Sequence, residues 1–417
     1  MSEAKPFKIP KRLVWEAYQR VRTNRGAAGV DSVSLSAFNK DLKGNLYKVW
    51  NRMSSGSYHP APVRLVEIPK EDGGMRPLGI PTIADRVAQT VVRMVLEPEV
   101  ETVFHPDSYG YRPGRSALDA VAVTRKRCWE FDWVIDVDIR AFFDSMRHDL
   151  VERAVAHHTD LAWVRLYVGR WLRAAVERPD GTREERTKGT PQGSPLSPLL
   201  ANLFLHYAFD QWMQREYPRT CFERYADDAV VHCRSEREAR AVLEAIRSRL
   251  ADCGLEVHPT KTKIVYCKDD DRKGKYERVK FDFLGYTFQP RRAKNRWGRY
   301  FVSFLPAIST QAAKAVRRTI RSWRMASTRN NQTLEDLAHL TNPAVRGWMN
   351  YYGRFYRSKC IQVLRHLNVA LARWARRKYK RFRRRERASM YWLGRIARRD
   401  RKLFVLWQLG VLPEAGG

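Results

Sequence analysis

Apolar residues recur at helical spacing near the N-terminus, where Leu13, Trp15, Tyr18 and Val21 precede a break at Gly26–Gly29. The pattern then changes period. Val63-Arg64-Leu65-Val66-Glu67-Ile68 alternates up to a turn at Asp72-Gly73-Gly74, which predicts a β-hairpin. Residues 82–104 read as helical as far as Glu97, where Pro98 is expected to stop the helix. Trp133–Ile139 reads as a strand leading to a helix capped by Asp144, and residues 196–216 as a long amphipathic helix. Phe222–Cys233 reads as two short strands around Ala226-Asp227-Asp228. Beyond Ser309 three helical stripes follow: Ala312, Val316, Ile320 and Trp323; Leu337, Leu340, Trp348, Tyr352 and Phe355, broken at Asn342-Pro343; and Leu364, Leu367, Leu371 and Trp374. Strands and helices mixed without strict alternation predict an α+β fold with a helical C-terminal part.

Composition narrows the function. The 417 residues carry 78 Lys+Arg against 45 Asp+Glu, a net charge of +33, in a chain 44% hydrophobic. A folded chain so basic calls for a polyanion. The charge is uneven, because residues 291–417 hold 31 basic and 5 acidic residues, a net of +26. No stretch approaches the roughly 18 apolar residues of a membrane span, and the first residues lack the apolar core of a secretory signal. Six cysteines lie far apart with no C-x-x-C, as expected of reduced thiols in a cytoplasmic protein. Residues 373–387 predict a basic helix whose interleaved Trp374, Tyr379 and Phe382 add stacking surfaces to phosphate contacts.

Two acidic clusters stand out against this background. Asp138 ends an apolar strand six residues before Asp144, and Asp227-Asp228 sits in a turn between β-prone runs. Carboxylates in such surroundings are costly unless hydrogen-bonded or paired with a cation. Three of them converging would repel one another unless divalent metal neutralised them. Adjacent aspartates are also ordinary turn residues, so the residues alone leave both readings open.

Tyr225-Ala226-Asp227-Asp228 resembles the YxDD box of reverse transcriptases, and Asp138–Asp144 their first metal-binding motif. Gly189-Thr190-Pro191-Gln192-Gly193-Ser194-Pro195-Leu196-Ser197-Pro198-Leu199-Leu200-Ala201-Asn202 resembles their intervening PQGxxxSP box. Three further stretches are similar to the group II intron reverse transcriptase/maturases: Ile68–Pro81, Tyr109–Ser116 and Gly347–Phe355. The resemblance runs in motif order from about residue 10 to 400. It implies a right-hand polymerase fold: an N-terminal extension (1–60), fingers and palm (61–290), a helical thumb or maturase X domain (291–365) and a basic C-terminal region (366–417).

By the same resemblance Asp138, Asp227 and Asp228 are the catalytic carboxylates, with Asp138, Ile139 and Asp227 at two Mg²⁺ ions for which Mn²⁺ can substitute. Asp136 lies on the same strand face as Asp138 but does not fit the motif. Lys70, Arg76, Arg112, Ile139, Phe143, Gln192 and Lys261 are the implied nucleotide-binding residues. Phe143 stands at the steric gate against a ribose 2′-OH, and Lys261 is the candidate acid for pyrophosphate. Phe283, Leu284 and Gly285 are placed as primer support. Arg373, Arg376, Arg377, Lys378, Lys380, Arg381, Arg383, Arg384 and Arg385 are placed as nucleic-acid-binding. Ala229 stands where many relatives have Phe, and no His/Cys endonuclease region follows, as in the short class C-like members.

The implied activity is RNA-directed DNA synthesis together with splicing and retrohoming of a group II intron. The implied partners are that intron RNA, an RNA template–DNA primer, target DNA and dNTPs. No membrane partner is expected, and the protein would act as a monomer or dimer in a bacterial cytoplasmic, nucleoid-associated ribonucleoprotein. A domesticated relative of retron, CRISPR-linked or phage-defence type and a pure maturase or RNA chaperone are the competing readings.

Overall fold

The computed structural model describes residues 5–24, 26–69 and 74–413. They form two compact units. One comprises the chain up to Ala120 together with Trp133–Ile264; the other comprises Val121–Asp132 and everything from Val265 onward.

In the first unit, helix Lys11–Thr23 buries Val14, Ala17, Tyr18 and Val21, the i, i+3, i+4, i+7 face, while Trp15 lies outside. The buried stripe is therefore one position off the expected Leu13/Trp15 set. The alternating run forms strand Val63–Pro69, paired antiparallel with Met75–Ile80 in a register that sets Ile68 opposite Arg76. Lys70 and the Asp72-Gly73 part of the turn lie outside the described residues.

Helix Ile83–Glu101 runs through Pro98 rather than ending before it. Near a C-terminus the ring removes one backbone bond and little else, and the buried face continues to Val100. Residues 197–216 are helical throughout but not amphipathic. Ser197–Leu205 is buried nearly all round, His206–Asp210 widens into a π turn, and only Gln211–Glu216 meets solvent. Strand Trp133–Val137 pairs antiparallel with Asp228–Cys233, which pairs with Phe222–Tyr225. Helix Glu236–Asp252, capped by Ser235, packs on the first two of these strands.

The second unit opens with an antiparallel sheet of Phe281–Phe283, Tyr286–Lys294 and Tyr300–Ile308. The expected boundary at 290 falls inside its middle strand, and that at 365 inside helix Arg357–Lys378. Ser309 caps helix Thr310–Ser322, which buries Ala312, Val316 and Ile320 as the stripe predicts. Leu334–Tyr352 is one unbroken helix despite Pro343, because tertiary bonds secure its middle: Asn342 donates to the Leu403 carbonyl and accepts from Val405 N–H. Segment Val121–Asp132 is tied to this unit by the Trp129 indole on the Phe304 carbonyl and by Arg272 on the carbonyls of Cys128 and Phe131.

Residues 373–387 are not one helix. Arg357–Lys378 ends, a short 3₁₀ turn covers Lys380–Phe382, and a new helix starts at Glu386. Trp374 and Phe382 are buried and Tyr379 stacks edge-on against Trp374 and Trp392. These rings are core, not base-stacking surfaces; their spacing satisfied a helix interior and a surface motif equally well.

Candidate active site

Tyr225 pairs with Asp228 to close a hairpin whose first central residue, Ala226, has φ +57°. Any residue but glycine is strained there, so something must hold it. Arg224 does: its Nη1 donates to the Ala226 carbonyl (2.9 Å) and to Asn202 Oδ1 (3.1 Å), while its Nη2 pairs with Asp210 (2.6 Å). Both ionic side chains are within 1% of complete burial. Asn202 in turn donates to the Gly110 carbonyl, and Gly110 lies so close beneath the turn that a Cβ there would reach 2.4 Å from Ala226 N. The sequence reading assigned nothing to Arg224, Asp210 or Gly110. The available signal was the adjacent charged pair Glu223-Arg224 between Phe222 and Tyr225, in a stretch that otherwise reads as strand.

Asp138 follows directly on strand Trp133–Val137, whose last residue faces Ala229, so the ladder delivers it beside Asp228. Its backbone N–H donates to Thr262 Oγ1, and Lys261 Nζ stands 3.8 Å from Oδ2. Asp136 lies mid-strand opposite Val230. The carboxyl of Asp227 is raised above its usual range by burial and then by the Asp138 charge, with Arg76 pulling the other way. Asp228 keeps some surface open to solvent, yet surrounding protein and the charges of Asp227 and Asp138 push it up to about 7 against Lys261 and Arg76. Three carboxylates thus converge on two cations, leaving surplus negative charge on hard oxygen donors. A divalent ion such as Mg²⁺ suits that set, since it takes few protein ligands and completes its shell with water and phosphate. Among the described residues no three His, Cys, Asp or Glu side chains form a ready-made metal cage.

Around this centre, Ile139 is buried and pairs with Val257. Phe142 enters the core against Phe204, whereas Phe143 is only half-buried. Asp144 lies within helix Phe142–Ser145, whose N-cap is Ala141, and the next helix has Arg147 at its N-cap, so Asp144 is not at the cap position expected of it. The PQG loop is clamped from both sides: Thr190 N–H donates to the Phe143 carbonyl and Gly79 N–H to the Gln192 carbonyl, both at 2.7 Å. Gln192, Asp144, Lys188 and Pro77 line a cleft of about 320 Å³ there.

Arg112 corrects an expectation. It is buried, paired with Glu101 (2.6 Å) and bonded to the carbonyls of His105 and Ser108, so four of its five N–H donors brace its own loop. Tyr111, at φ +59° and half-exposed, faces the centre instead; its hydroxyl is raised by burial and by Asp227. In the second unit Leu284 and Gly285 form a left-handed turn after Phe283, held by Tyr351 Oη on the Leu284 carbonyl. Arg376 pairs with Glu386 and Lys378 bonds the Gln332 carbonyl, whereas Arg373, Arg377, Lys380, Arg381 and Arg383–Arg385 are exposed. Ala229 is buried opposite Val137 and Arg224.

Residues 68–288, more than half of the chain, match the family model of reverse transcriptase (RNA-dependent DNA polymerase), and residues 313–392 match the group II intron maturase-specific domain. The chain belongs to the group II intron reverse transcriptase/maturases. Similar curated proteins include Protein YkfC of Escherichia coli, 30% identical over 334 residues, which are 70% of this chain and 84% of YkfC. Group II intron-encoded protein LtrA of Lactococcus lactis is 33% identical over 198 residues, 46% of this chain and 32% of LtrA. The Putative COX1/OXI3 intron 1 protein of Saccharomyces cerevisiae is 31% identical over 201 residues, 48% of this chain and 24% of that protein. Only about a third and a quarter of these two intron proteins are therefore spanned. The α+β architecture with antiparallel sheets and a helical C-terminal part agrees with the polymerase fold of this reverse transcriptase family. Among the described residues no helix is long and apolar enough to cross a membrane.

Proposed function

We propose that this reverse transcriptase extends a primer 3′-OH on an RNA template, and that its C-terminal region binds group II intron RNA to assist splicing and retrohoming. The convergence of Asp138 with Asp227 and Asp228 at one strand end carries the reading. Asp138 and Asp227, with the Ile139 carbonyl, would hold two Mg²⁺ ions, or Mn²⁺ in their place, which when bound supply charge to the attacking and leaving oxygens. Asp228 adds negative potential more than ligation. Arg76, with Lys70 before the turn in sequence, would grip the triphosphate, and Lys261, whose Nζ stands 3.8 Å from Asp138, would protonate departing pyrophosphate. Phe143 would lie under the sugar and Gln192 beside it, while Phe283, Leu284 and Gly285 carry the primer strand. The relatives encoded by group II introns support an intron RNA as partner, with target DNA as the second nucleic acid and a bacterial cytoplasmic ribonucleoprotein as the setting.

Asp227→Asn tests the centre. Primer extension on a primed RNA with Mg²⁺ should fall on the order of a thousandfold, while RNA affinity stays within about twofold. Extension at the wild-type rate would remove the metal assignment.

A further inference from the structure

The antiparallel pair Tyr286–Lys294 and Tyr300–Ile308 is buried at its base and exposed at its far end. The pair is clamped near its exposed end. Asp270 accepts from Val302 N–H and donates its own N–H to the Val302 carbonyl, and Tyr356 Oη bonds the Arg292 carbonyl. Beyond these clamps, residues 293–301 form an arm with three cations (Lys294, Arg296, Arg299), three aromatics (Trp297, Tyr300, Phe301) and no acid. Trp297 at the tip is 75% exposed, the most of any large apolar side chain among the described residues. Leaving an indole in water is unfavourable unless something covers it.

The tip is closed, not ragged. Asn295 Oδ1 accepts from Trp297 and Arg299 N–H, Asn295 N–H donates to the Arg299 carbonyl, and Gly298 at φ +85° donates to the Asn295 carbonyl. The indole is therefore presented on an ordered turn, which lowers the entropy lost when it docks. Arg296 lies over one ring face at 4.1 Å. Register places Lys294 opposite Tyr300 and Arg292 opposite Val302 on one face, with the Arg292 guanidinium 3.9 Å over the Tyr300 ring.

We propose that residues 292–301 are a prong for an unpaired nucleotide, on which Trp297 stacks a base while Arg292, Lys294, Arg296 and Arg299 take the flanking phosphates. Flat rings among fixed cations suit single-stranded nucleic acid, since every base has a π-face whereas a duplex keeps its bases inside. A purely electrostatic patch needs no exposed indole. The inference rests on the nucleic-acid-binding reading above but is independent of the aspartate centre.

Full-length protein carrying Trp297→Ala or Trp297→Phe is titrated against fluorescein-labelled 20-nucleotide RNA, DNA of the same sequence and the blunt RNA duplex, by anisotropy at fixed salt. Primer extension on an unstructured homopolymer and the thermal midpoint are measured in parallel. Trp297→Ala should weaken single-strand binding roughly 5- to 100-fold, leave the duplex within about twofold, and change neither extension rate nor midpoint; Trp297→Phe should keep most of the affinity. A loss on RNA alone identifies RNA as the source of the base, and a loss on both strands any single strand; either supports the prong. Equal loss on strand and duplex, no loss, or a tryptophan dependence confined to anionic vesicles would overturn it. If extension fails in the wild type while the Trp297 effect persists, the polymerase reading falls and the prong stands.

Discussion

Arg224 and Asp210 make a fully buried ion pair whose second task is to hold the strained Ala226 turn. Removing one partner of such a pair strands the other charge, so Arg224→Met should cost about 3–5 kcal/mol in urea unfolding. The double variant Arg224→Met/Asp210→Leu should regain much of that stability while primer extension stays low, because nothing then grips the Ala226 carbonyl. Equal recovery of both would make the pair merely structural. His206 offers a pH test. Burial lowers it to about 4, with neighbouring Arg224, His158 and His105 also opposing its charge and Asp210 favouring it. Neither ring nitrogen has a hydrogen-bond partner among the described residues. The unfolded chain takes up this proton near pH 6.5 and the folded chain only near 4, so stability present above 6.5 is lost as pH falls through that window. The wild type should lose roughly 3 kcal/mol relative to His206→Phe between pH 7 and 4; parallel stability curves would refute the assignment.

At the scale of elements, Asn342 joins helix Leu334–Tyr352 to the loop before Val405 through two bonds. Asn342→Ala should lower the unfolding free energy by about 1–3 kcal/mol, read by denaturant titration followed with far-ultraviolet circular dichroism. The same helix shows what a sequence conceals. Its apolar stripe was legible, but Pro343 read as a break because the partners that compensate for it lie some sixty residues away. Pro98 misled for a different reason: it stands so near the end of its helix that little of the ladder is left to disturb. The carboxylates were singled out only by the resemblance of their motifs, because turn chemistry alone left them open, whereas the hairpin and the strand pair were plain from period and turn chemistry, which are local. The Arg224–Asp210 brace and the diversion of Arg112 to Glu101 were not, since pairing across 14 and 11 residues leaves no periodic trace. The basic C-terminal run was legible as charge and misread as surface aromatics, because burial of Trp374 is decided by neighbours from other helices.

For the molecule as a whole, charge is segregated: a net of +26 lies in residues 291–417. If about eight phosphates are engaged, RNA affinity should fall by about four decades between 50 and 200 mM salt. Replacing Arg383, Arg384 and Arg385 by Gln should flatten the log–log slope by nearly three; an unchanged slope would place the contacts elsewhere. The chain also passes from one unit to the other three times, at 120, 132 and 264, because Val121–Asp132 is lodged in the second unit beside Phe304 and Arg272. The reading frame consequently offers no single place to cut. A fragment beginning at Val265 lacks a piece of its own framework, so a single cut there should leave the second unit less stable than it is in the whole chain.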